Sequence, residues 1–126
     1  MTPLNDRVEK AISYHKNFST CSASVLCAFA DLAGITEEQA RFISKPFAGG
    51  KMGKCGALLA AEYVIDQIFG DKAEAVKEKL ETEFRKKNTT LMCRELKGGL
   101  TGKVLRSCRG CVTDAAELLS DIITKL

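Results

Sequence analysis

The sequence has no apolar run approaching the roughly 20 residues of a membrane span. Residues 1–15 also lack the apolar core of a secretory leader, because Asp6, Arg7, Glu9 and Lys10 interrupt them. No segment alternates with period two for long enough to make a strand. There is no internal repeat, low-complexity tract or inter-domain linker. Charge of one sign is scarce as well: 19 basic and 16 acidic residues leave a net charge of +3. That balance is too mild to imply nucleic acid or an anionic membrane as partner. The expectation is a single domain over 1–126 in the cytoplasm, where thiols stay mostly reduced. Six cysteines in such a chain point to metal or redox chemistry more than to a disulfide framework.

What is present is helical periodicity. Leu4, Val8, Ala11, Ile12 and His15 form a first helical stripe. His15, the one histidine, reads first as a packed or half-buried residue and second as a ligand or proton carrier. Ser19 or Thr20 caps a second helix over 21–33, which Gly34 ends. On it Cys21, Val25, Leu26, Phe29 and Leu32 share one face, and Cys27 falls opposite with Ala23 and Asp31. Thr36 and Gln39 make a capping box for a short third helix. Pro46 stops it.

A fourth helix over 55–69, ended by Gly70, carries the widest apolar face and is expected to be central. Asp71 starts a fifth, with the stripe Ala73, Val76, Leu80 and Phe84. Its charges Lys77, Lys79, Glu81, Arg85, Lys86 and Lys87 read as a solvated face. Thr89 or Thr90 caps a short helix carrying Leu91, Cys93 and Leu96. The last helix, 110–125, packs Cys111, Ala115, Leu118, Leu119 and Ile122, with Leu126 closing the face. The fold class is all-α: a single-domain bundle of about four main helices plus short extras.

The stretch that organises this chain is FAGGKMGKCGALLAA (47–61). Glycines there allow a tight turn ahead of a helix start, where free amides and the helix dipole favour a thiolate at Cys55. The run is not a phosphate-binding loop: Ala48 replaces the first glycine, Cys55 replaces the magnesium-holding Ser or Thr, and no strand precedes it. Cys108-Arg109-Gly110-Cys111 is a CxxC at a helix start. It lacks a thioredoxin-like context, a following histidine for haem and a second CxxC for zinc. Cys111 fits the apolar face and reads as a buried thiol. Cys21, Cys55 and Cys108 each open a helix, and Cys93 lies in a short one. If the bundle gathers these ends, four thiolates suit a tetrahedral metal or an iron–sulfur cluster. Two or three suit disulfide exchange.

The pieces TCSASVL (20–26), GGKMGKCGALLA (49–60), MCREL (92–96) and CRGCVTDAAELL (108–119) resemble the C_GCAxxG_C_C family of redox-active proteins, in that family's order. The resemblance implies an all-helical fold and puts the family's four cysteines on Cys21, Cys55, Cys93 and Cys108, with Gly53 and Gly56 flanking the central one as cofactor-adjacent positions. Cys27 and Cys111 are then extras. A similar helical module accompanies the haem domain of split-Soret cytochromes, where an iron–sulfur centre has been suggested. Three positions depart from the pattern. Ala60 stands where a second glycine is expected, crowding the site by one methyl, and Thr20 and Ala23 replace asparagine and glutamine.

Three functions follow. The first is a four-cysteine site for an iron–sulfur cluster or another thiolate-bound metal, serving electron transfer or sensing. The second is a metal-free thiol–disulfide oxidoreductase, with Cys55 as nucleophile, Lys51 or Lys54 beside it, and Cys21, Cys93 or Cys108 resolving. The third is a non-catalytic helical module with core cysteines. The expected partner is a redox protein of unidentified kind, with a homodimer as an option.

Overall fold

A computed structural model of the chain describes residues 4–17, 20–50, 54–88, 90–92, 96 and 108–124. Its helices are α1 (Leu4–Lys16), α2 (Cys21–Ala28), α3 (Glu37–Ser44), α4 (Gly56–Phe69), α5 (Ala73–Asn88) and α6 (Cys108–Thr124). Short 3-10 turns span Lys45–Gly50 and Gly70–Lys72. No strand occurs among the described residues; one isolated antiparallel bridge pairs Lys54 with Met92. None of the described helices is long and apolar enough to cross a membrane.

Local signals set most boundaries. Thr20 caps α2, its Oγ1 accepting from the Ala23 amide at 3.1 Å. At α3 the capping box is complete: Thr36 Oγ1 accepts from the Gln39 amide, and the Gln39 side chain accepts from the Thr36 amide. Gly70 closes α4 with φ of 54°, a left-handed conformation that costs a residue without Cβ little. The expected α5 stripe is observed, with Ala73, Leu80 and Phe84 buried and Val76 partly so. On α6, Cys111, Ala115, Leu118 and Leu119 are buried.

Three boundaries differ from the sequence expectation. The second helix stops at Ala28, not near 33. There the Phe29 amide turns to the Leu26 carbonyl and the Ala30 amide to the Cys27 carbonyl, tightening the chain into turns before Gly34 at φ 76°. The fifth helix is preceded by a 3-10 turn at Asp71, and the last begins at Cys108, two residues earlier than expected. Gly49 and Gly50 also sit in the Lys45–Gly50 3-10 turn. Among the described glycines only Gly34 and Gly70 have positive φ.

The core is built around α2 and α4. The α2 helix packs on α1, α3, α4 and α6, and α4 packs on α2, α5 and α6. Every α2 residue from Ser22 to Ala28 is buried. That overturns the two-faced reading of this helix. Cys27 is as enclosed as Val25, at 2% exposure, because the short helix is surrounded by neighbours. Val25, Leu26 and Phe29 meet Leu58, Ala61 and Ile65 in one continuous core.

Polar groups lock the outer helices onto this core. Arg7 of α1 is 2% exposed and reaches Asp31 with both terminal nitrogens, at 2.5 and 2.8 Å. It also donates to the Ala28 carbonyl at 2.9 Å. Buried Asn88 at the end of α5 donates to Asp114 of α6 at 3.1 Å.

Candidate functional site

Cys55 is the N-cap of α4 and only 4% exposed. Its carbonyl accepts the first intrahelical bond, from the Leu59 amide at 3.0 Å. Its side chain makes no capping hydrogen bond to the turn that it opens. The first-turn amides, beginning with buried Gly56, leave partial positive charge at this point. The Cys55 amide donates to the Leu91 carbonyl at 2.8 Å. The Lys54–Met92 bridge beside it, between residues 38 positions apart, zips the segment at Cys55 to the residues just ahead of position 93.

Cys21 is the first residue of α2 and half-buried. The Ser24 hydroxyl donates to the Thr20 carbonyl at 2.6 Å, and the Ser22 hydroxyl to the Ser44 carbonyl at 2.9 Å. These bonds fix the start of α2 against the end of α3, where the turn toward Cys55 begins. Thr20 therefore performs the capping that asparagine would perform at the same place.

Cys108 is the first residue of α6. Next to it, Arg109 Nε donates to His15 Nδ1 at 3.4 Å. His15 lies in the last turn of α1 and is half-buried. This contact joins the start of α6 to the end of α1, a few residues ahead of Cys21. The Cys108 side chain, Gly53 and Cys93 lie outside the described residues. The short helix expected around Cys93 is represented by Leu96, which is helical, buried, and bonded through its amide to the Met92 carbonyl at 3.0 Å.

The chain matches the model of the family described as "Putative redox-active protein (C_GCAxxG_C_C)" over residues 19–122. The chain belongs to the C_GCAxxG_C_C family. No curated protein and no solved structure matches it. Of the four cysteines expected at the family's positions, Cys21 and Cys55 have described side chains, and both sit at helix starts. Among the described residues no disulfide joins two cysteines, and no group of three or more His, Cys, Asp or Glu side chains is arranged to hold a metal. Ala60 is fully buried, so its methyl is part of the core of this C_GCAxxG_C_C protein.

The extra cysteines are core residues. Cys27 Sγ lies 3.7 Å from the Glu37 carbonyl, and burial pushes its thiol pKa up. Cys111 is 2% exposed. A thiol whose pKa burial raises, as at Cys27, is a poor nucleophile.

One constellation was missed from the sequence. Lys54 reaches Glu81 of α5 at 2.5 Å and Glu62 of α4 at 3.8 Å. Glu62 is 9% exposed, in a helix otherwise buried by Ala60, Ala61, Val64 and Ile65. Burial, with Glu81 next to it, pushes the Glu62 carboxyl up to about 8. Burial opposes ionisation of Glu81 too, yet Glu62 and the Lys54 ammonium hold its carboxyl below the usual value. The bond to Glu81 raises the Lys54 pKa. Glu81 thus turns inward, and so does Lys77, which pairs with Asp66 at 2.9 Å and Glu74 at 3.0 Å. The solvated face expected of α5 is confined to residues such as Lys79, Arg85, Lys86 and Lys87. A charged residue at position 62, inside the apolar run of α4, was the only sequence signal.

Proposed function

We propose that Cys21, Cys55, Cys93 and Cys108 make one redox centre that holds an iron–sulfur cluster or another thiophilic metal. The single observation that carries this reading is the Cys55 amide bonded to the Leu91 carbonyl at 2.8 Å. It ties Cys55 to a residue two positions ahead of Cys93, which the sequence separates widely from it. The Arg109–His15 contact supports the same convergence for the segments at Cys108 and Cys21. A thiolate donor set fits a soft metal ion or cluster. Burial of Cys55 fits a ligand that has to be kept from water and oxidants.

An iron–sulfur cluster held there would supply one-electron chemistry. The protein's own part is to hold the sulfurs at helix starts, where the amides offset thiolate charge. Packing of α2 against α4 excludes water around Cys55. Half-exposed Cys21 marks the edge at which an electron carrier approaches. The experiment is anaerobic purification and reconstitution, with iron, sulfide and visible absorbance measured. Serine at position 21, 55, 93 or 108 should each lower bound metal, whereas Cys27→Ala should leave it intact. Colourless protein that retains no metal would remove this reading.

A second reading, metal-free thiol–disulfide exchange, is favoured by one observation, the partial exposure of Cys21. In that chemistry Cys21, and not the enclosed Cys55, attacks the substrate disulfide. Mass spectrometry of substrate-trapped protein then finds the mixed disulfide on Cys21.

A further inference from the structure

We propose that Glu62 and Glu81 are a proton-holding carboxyl pair for the redox centre, so that electron uptake at the cysteines draws a proton onto Glu62. The inference rests on the reading of the four cysteines as one centre. Its geometry is independent of that reading. Two carboxylates, one of them almost fully enclosed, share the ammonium of Lys54, and Lys77, the other ammonium lining the cleft, is paired with two further carboxylates. One negative charge is left over in a place of low dielectric, and a shared proton relieves it.

The other charges around the pair do not replace that proton. Lys77 is engaged by Asp66 and Glu74. Glu74 and Glu78 line the same cleft and add negative charge. Arg85 lowers the Glu81 pKa but is no cause of the Glu62 shift. On α6, Asp114 bonds to Asn88 and Glu117 pairs with Lys87 at 3.7 Å. On α2, Cys27 is turned to the Glu37 carbonyl. A cleft of ≈ 430 Å³ lined by Lys54, Glu62 and Glu81 gives the pair access to solvent protons.

Lys54 connects the pair to the centre, because it precedes Cys55 directly. Cys55 and Glu62 are also seven positions apart, two turns on one side of α4, or about 10 Å along its axis. Charge added at Cys55 is felt at Glu62 across a weakly screened interior. The step balances simply. Where Glu62 is ionised, at and above about pH 8, one electron from a one-electron carrier enters the centre, one proton from solvent binds the Glu62 carboxylate, and the summed charge is unchanged. No other bond forms or breaks.

The test uses the full chain reconstituted anaerobically with iron and sulfide. Its midpoint potential is followed from pH 6 to 10, alongside Glu62→Gln and Glu81→Gln. Carboxyl 13C NMR reads the Glu62 midpoint in the metal-free, oxidised and reduced protein. Circular dichroism checks that both variants keep their helices. The potential should fall with rising pH across the window in which Glu62 titrates, and Glu62→Gln should be flat there. Reduction should shift the Glu62 midpoint upward by about one pH unit. A wild-type potential independent of pH, or the same slope in Glu62→Gln, overturns the proton coupling and leaves the centre standing. A chain with no redox-active group overturns the centre, and the coupling with it. A high Glu62 midpoint in the metal-free protein then describes a carboxyl pair alone.

Discussion

Arg7 is enclosed and Asp31, its partner at 2.5 Å, is 62% exposed. The pair is therefore unequal, and its two halves should fail differently. Asp31→Ala strands a guanidinium in the core with only the Ala28 carbonyl and costs about 3–5 kcal/mol. Arg7→Met removes the buried charge and leaves an aspartate that water can solvate, costing about 1–2 kcal/mol. Urea unfolding of both variants measures the order. Arg7→Met as the more damaging change would contradict this account.

Stability should depend on pH in opposite senses at two sites. The Arg7 guanidinium holds the Asp31 carboxyl below its ordinary value, and Tyr14 and Lys10 do the same for Glu37. Both contribute stability that is lost as pH falls through the acidic range. Glu62, raised to about 8, keeps a proton that the unfolded chain releases. Between an ordinary carboxylate value and about 8 the folded state binds more protons, so stability falls as pH rises through that window. Thermal unfolding from pH 3 to 9 should show a maximum at mildly acidic pH. Glu62→Gln should flatten only its alkaline side, by up to a few kcal/mol.

Asn88→Ala takes a donor from the buried Asp114 carboxylate and leaves a small void at the α5–α6 junction. Loss of about 2–3 kcal/mol is expected. Chemical denaturation reads it, and a cost near zero would show that Asp114 is held by other groups.

Ala60→Gly removes a methyl from the core at the position where the resemblance leads one to expect glycine. In a helix interior it should cost about 1 kcal/mol, and Ala60→Leu about 1–3 kcal/mol through overpacking of a fully buried position. Metal retention after reconstitution should be unchanged in Ala60→Gly if the methyl belongs to the core and not to the centre.

Local chemistry was readable in advance, and long-range chemistry was not. The Thr36–Gln39 box, the Gly70 stop and the stripe Ala73, Val76, Leu80, Phe84 are written within a few residues each, and all are observed. The α2 helix was misjudged because a helical wheel assumes one wet face, and α2 has none. Glu81 read as a solvated charge because its partner Lys54 lies 27 positions away, and the reach of Arg7 to Asp31, 24 positions on, has no local signature either. The Lys54–Met92 bridge rests on main-chain groups, which carry no side-chain signature. For the site, the helix starts at Cys21 and Cys55 followed from a cap and glycines, whereas the last helix was expected two residues after its start at Cys108. The Cys55–Leu91 and Arg109–His15 contacts, between segments far apart in the chain, did not follow from such signals.

The enclosure of α2 on every side has a practical consequence. Cys21 opens a helix that supports α1, α3, α4 and α6 at once. Whatever ties down that first turn also braces most of the molecule, so occupancy of the site should be legible as heat resistance. A melting-temperature screen of candidate metals and small ligands on this protein would report binding with no knowledge of the reaction that it serves.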